Sequence, residues 1–119
     1  MTFDTVALCR AEPDPAAMLG ALLAAGSELK MDTVEAAGLM RLFDPGDGRL
    51  LLSVETARLV QVPGEAERLL GLPLDDSFGG RIWWVESHAP AADPRAADVA
   101  RRFTAALVEI TGGLTWMSR

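Results

Sequence analysis

The chain has 119 residues, half of them apolar, and a formal net charge of −6, which fits one domain with its own core and excludes a disordered chain. The acidic balance speaks against a general nucleic-acid or anionic-membrane binder, since both need a positive surface. Cys9 is the only cysteine, so no internal disulfide is possible; with no signal segment and no apolar run near the ~20 residues of a membrane span, the cytoplasm is the expected location.

Thr2 to Arg10 alternates, with Val6 and Leu8 on one face and Phe3, Thr5, Ala7 and Cys9 on the other, and reads as a first strand. Glu12-Pro13-Asp14-Pro15 stops it and starts a helix: Asp14 is a good N-cap acceptor, and Pro15 suits the first helical position. The helix runs over Ala16 to Ala25, with Met18, Leu19, Leu22 and Leu23 as its expected apolar stripe, and Gly26 ends it. Glu28 to Val34 alternates charged and apolar residues, the pattern of a half-solvated strand near a sheet edge. After a break at Ala36-Ala37-Gly38, Leu39 to Phe43 and Arg49 to Glu55 form a hairpin around the Asp44-Pro45-Gly46-Asp47-Gly48 turn, with Leu50, Leu52 and Val54 expected on the buried face.

Ala57 to Val62 reads as a fifth strand, and Glu65 to Leu70 as a short helix closed by Gly71. Leu72 to Gly80 is the longest expected loop, where a functional surface is most easily displayed. Ile82-Trp83-Trp84-Val85 is an unbroken apolar run of β-branched and aromatic residues, which suits a strand covered on both faces. Asp93-Pro94 repeats the capping device of Asp14-Pro15, and the helix from Arg95 to Thr111 places Ala96, Val99, Ala100, Phe103, Leu107 and Ile110 on one face. Asp98 and Arg102 are spaced to pair on its opposite face. Gly112-Gly113 stops the helix, and Leu114 to Met117 is a closing strand.

Two amphipathic helices and about five to seven strands predict an α+β two-layer sandwich: a mostly antiparallel sheet with both main helices on one face. Trp83 or Trp84 then projects toward the second face. With Asp75, Asp76 and Phe78 of the loop, these tryptophans form the expected binding surface.

Catalytic signatures are missing from the sequence. His88 is the only histidine, which excludes a His-rich metal site or a His-pair acid–base arrangement; it reads as a surface or loop-capping residue at a strand end. No Gly-x-Ser-x-Gly elbow accompanies it. Cys9 reads as a small core residue, and the Asp44/Asp47 and Asp75/Asp76 pairs as turn and cap chemistry without calcium-loop spacing. Neither Gly46-Asp47-Gly48 nor Gly79-Gly80 belongs to a phosphate-binding pattern. No cofactor or metal is expected, and the balance leans away from an enzyme.

Leu52-Ser53-Val54-Glu55, Val60 to Glu65, Leu69-Leu70-Gly71, Trp83-Trp84-Val85-Glu86, and Gly112-Gly113 with Trp116 together resemble an uncharacterised actinobacterial domain family encoded near type VII secretion genes. The scarcity of lysine, with Lys30 the only one, fits a GC-rich bacterial genome. In that family the corresponding region lies at the N-terminal end of longer chains, and no active site is established. The resemblance therefore carries over no functional residue. It implies a non-enzymatic interaction protein of a secretion or toxin-associated system, acting as an adaptor, chaperone-like subunit or immunity-type protein. The expected partner is another protein, or a second copy in a homodimer. The alternative is a small-molecule-binding domain or minor enzyme with a pocket lined by Trp83, Trp84 or Trp116.

Overall fold

The computed structural model describes residues 2–60, 64–71 and 81–118. In chain order they form β1 (Thr2–Cys9), α1 (Pro15–Ala25), β2 (Lys30–Val34), a 3-10 turn (Glu35–Ala37), β3 (Leu39–Phe43), β4 (Leu50–Glu55), β5 (Arg58–Val60), α2 (Glu65–Leu70), β6 (Ile82–Pro90), α3 (Pro94–Thr111) and β7 (Gly113–Met117). The strands make one sheet in the order β2-β3-β4-β6-β1-β7, with β5 also paired to β6. Every pairing is antiparallel. The fold is the expected α+β sandwich.

β6 is the axis of the sheet. On one side it pairs with the whole of β1, from Thr2 opposite Pro90 to Cys9 opposite Trp83. On its other side β4 holds Ser87 and His88, and β5 holds Ile82 to Trp84. Alternation along β1 and β6 then separates two cores. Phe3, Ala7, Cys9, Val85 and Ala89 face the helices. Val6, Leu8, Ile82 and Trp84 form a second cluster on the opposite face, covered by Val60, Leu70 of α2 and Trp116 of β7.

Both main helices start as the sequence predicts. The Asp14 carboxylate accepts from the Ala17 amide at 2.8 Å. Asp93 accepts from Arg95 and Ala96 at the start of α3. The Asp98–Arg102 pair forms at 3.0 Å on the solvated side of α3. The β3–β4 turn is held by Asp44, which accepts from the Gly46 amide at 2.7 Å and pairs with Arg95 and Arg49. That network ties the hairpin to the start of α3, because Arg49 also binds Asp93 at 2.7 Å.

Three expectations about the core are corrected. Leu19 and Leu23 of α1 are 51% and 54% exposed, and the helix instead buries Ala17, Ala21, Leu22 and Ala25. Small residues let α1 lie close against α3, so close that a Cβ on Gly20 would come within 3.3 Å of Ile110 Cδ1. Ile110, expected in the core, is 52% exposed on α3 for the same reason: α1 occupies the space beside it without enclosing it. In β4 Leu52 and Val54 are buried as expected, but Leu50 is exposed and Leu51 is buried as well. A bulge causes this: Leu42 faces Leu52 while Phe43 faces Leu50, leaving Leu51 as the extra residue.

The expected strand over 57–62 is described as Arg58–Val60, and positions 61–62 lie outside the described residues. So does the expected loop over 72–80. Among the described residues, no helix is long and apolar enough to cross a membrane.

Candidate functional site

The sheet is wider than its helices. Six strands side by side at about 4.8 Å spacing set the outer strand axes roughly 24 Å apart, whereas two helices cover about 20 Å. α3 packs over β1, β4, β6 and β7, with α1 beside it. Among the described residues β2 is exposed along nearly all its length, and β3, apart from the buried Leu42, is half-buried. Thr33, Met40 and Val54 sit opposite one another across β2, β3 and β4 and point to the helix side there.

An apolar groove of about 630 Å³ results. Met18, Leu19 and Leu22 of α1 form one wall, Met31 the other, and Met40, Val54 and Trp83 line the interior. Its charged lining residues are Glu12 and Glu35, both acidic. Methionines adapt their shape to what they bind, because the thioether chain is unbranched and polarizable.

Trp83 and Trp84 project to opposite faces, as alternation requires. Trp83 is half-buried and borders the groove. Trp84 points to the second face but is only 5% exposed, so its ring is core and offers no partner surface. Its Nε1 donates to Glu86 Oε1 at 3.1 Å, and the Arg58 guanidinium lies 5.6 Å from its ring centre. Asp75, Asp76 and Phe78 lie outside the described residues. Of the two tryptophans expected at a binding surface, Trp84 is thus core on the second face, and Trp83 borders the groove on the helix side. Trp116 joins the second cluster beside Trp84 and takes no part in the groove.

A second polar arrangement sits on the face of the sheet opposite α1 and α3. His88 is not at a strand end, since β6 continues to Pro90. Its Nδ1 is 2.8 Å from Asp4 Oδ1 on β1, and its Nε2 is 2.6 Å from Glu55 Oε2 on β4 and 3.4 Å from Glu86 Oε2. Burial alone would lower the His88 pKa, but hydrogen bonds to Asp4 and Glu55 and the charges of Asp4 and Glu86 outweigh it and raise it. Burial likewise works to raise the Asp4 pKa, and the bonds from His88 and Thr2 overcome it and hold the carboxyl below its usual range. The sequence reading missed this cluster. Its one local signal is the spacing of Glu86 and His88, which puts both on one face of a strand.

Cys9 is fully buried, as expected of a core residue, and burial pushes its thiol pKa up against the smaller opposing effect of Thr111. A protonated, enclosed thiol is unreactive. No known family, no curated protein and no solved structure matches this chain.

Proposed function

We propose that this protein is a non-enzymatic interaction domain that receives an amphipathic segment of a partner protein in the groove between α1 and the β2–β3 hairpin. The observation that supports this reading is the groove itself. It is a gap in the second layer, apolar inside, with Leu19 and Met31 presented to solvent at its walls. Exposed apolar side chains of this size beside a preformed groove suit a helix-in-groove mode of recognition. Glu12 and Glu35, with the chain's net charge of −6, favour a segment with basic residues flanking its apolar stripe. An adaptor, chaperone-like or immunity-type role in a bacterial secretion or toxin-associated system rests on the sequence resemblance alone.

The test uses Leu19→Glu combined with Met31→Glu. Both side chains are exposed, so the variant keeps its fold, checked by circular dichroism. Tagged wild type and variant are used to capture partners from the native lysate. A stoichiometric partner held by the wild type and lost by the variant supports the reading. Equal recovery of the same proteins by both sinks it.

A second reading is favoured by the groove's volume, which lies within the range of about 300–1,000 Å³ typical of small-molecule sites. Native mass spectrometry tests it: a bound small mass on the purified protein supports an apolar ligand, and the bare protein mass counts against it.

A further inference from the structure

Three ligand atoms converge on the face of the sheet opposite α1 and α3: His88 Nε2, one Glu55 oxygen and one Glu86 oxygen, all within 4.8 Å of one another. They come from two adjacent strands, β4 and β6, whose pairing fixes Ser53 opposite His88. Behind the ring, Asp4 Oδ1 accepts at Nδ1, 2.8 Å away. The other oxygen of Glu86, Oε1, is already engaged by Trp84 Nε1 at 3.1 Å and lies 3.7 Å from Arg58. That leaves Oε2 turned toward His88 at 3.4 Å.

A neutral imidazole carries one N–H, yet both ring nitrogens of His88 face carboxylate oxygens. In either neutral tautomer, one nitrogen lone pair would point at a carboxylate. Two species satisfy both sides. One is the imidazolium. The other is a neutral ring that donates from Nδ1 to Asp4 and offers Nε2 to a cation, the arrangement in which an outer carboxylate fixes the tautomer of a metal-ligating histidine.

We infer that Glu55, Glu86 and His88 bind a divalent transition cation of the zinc class, with Asp4 as the positioning residue for His88. Bonds of about 2.0–2.2 Å in a tetrahedral site put neighbouring ligand atoms roughly 3.3–3.6 Å apart. The His88–Glu86 separation of 3.4 Å already meets this. The Glu55 oxygen, at 2.6 Å, has to withdraw by under about one ångström, a small rotation for a side chain that is partly exposed at the end of β4. One nitrogen and two carboxylate oxygens suit zinc better than calcium or magnesium, which favour all-oxygen sets. Water would complete the fourth position. Where the ring starts as imidazolium, binding displaces the Nε2 proton to solvent.

The chain has a single histidine, so one set of imidazole signals reports the site directly. Tag-free protein is stripped with a chelator and titrated with Zn²⁺, followed by calorimetry and by ¹H–¹⁵N spectra of the ring. The expected result is saturable one-to-one binding, with a large shift at Nε2 and retention of the proton at Nδ1. His88→Gln should abolish it, and Asp4→Asn should weaken it by about 10–100-fold while sparing the ligands themselves. Ring signals that do not move at saturating Zn²⁺ overturn the proposal, and that readout needs no variant to fold. So does zinc binding by folded His88→Gln as tight as that of the wild type.

Discussion

Asp4 and His88 stand directly opposite each other on β1 and β6, with Oδ1 and Nδ1 2.8 Å apart across 84 positions of sequence. The pair has a pH signature. His88 is held above the 6.5 of a free histidine, so its contribution to stability is complete below that value and lost as pH rises through the folded pKa. Asp4 is held below 3.8, so its contribution is present above that value and lost as pH falls through its own folded pKa. The two together predict greatest support from this pair between about pH 4 and 6.5. Urea denaturation of metal-free protein in a chelator should show a lower midpoint at about pH 8.5 than at pH 5.5. In His88→Gln that difference should shrink.

Gly113 begins β7 at φ 149°, facing Cys9 of β1. A Cβ there would lie 1.8 Å from the Leu8 carbonyl oxygen, which is backbone and cannot swing aside. Gly113→Ala should therefore destabilise the protein by roughly 3 kcal/mol or more, because β7 has to separate from β1. A variant with an unchanged urea midpoint would show that β7 does not need this close approach.

Thr5 and Thr104 join the sheet to α3 through a buried contact of 2.7 Å between their hydroxyls. Thr104 has one hydroxyl hydrogen and also sits 2.8 Å from the Ala100 carbonyl, an oxygen that can only accept. It follows that Thr104 donates to Ala100 and accepts from Thr5. Thr104→Val should cost about 1–3 kcal/mol, since it strands the Thr5 hydroxyl in the core. Thr5→Val added to it should cost less than the sum of the singles. Strict additivity in that double-mutant cycle would argue against the bond.

Ser87 gives the opposite expectation. Its hydroxyl is buried beside the same helix layer and has no partner among the described residues. Ser87→Ala removes an unsatisfied polar atom, so stability should stay level or rise by up to about 1 kcal/mol. A loss as large as that of Thr104→Val would reveal a partner for this oxygen.

The α+β sandwich and most element boundaries were legible because they depend on local chemistry. Asp14 and Asp93 accept from amides one turn on, with a proline at the first helical position, the Asp44 to Gly48 turn is closed by the Asp44 carboxylate on the Gly46 amide, and the period along β1 assigns Val6 and Leu8 to one face. α3 declared its inner face because polar residues mark its outer one. α1 did not: Pro15 to Ala25 contains no charged residue, so periodicity had nothing to select against, and the leucines looked like the stripe. Packing against α3 chose the alanines instead, because only a flat surface lets the two helices approach.

The groove and the histidine cluster were beyond local reading for a related reason. The groove exists because two helices are narrower than six strands, a mismatch between layers that no single segment contains. Asp4, Glu55 and His88 meet because β1 and β4 are neighbours of β6, an order fixed by the whole sheet. The sequence by itself determined the elements, their caps and the inward face wherever polar and apolar residues alternate. Only the tertiary structure decided which apolar surface stays uncovered and which charges face one another, because both depend on residues that become neighbours when the strands pair.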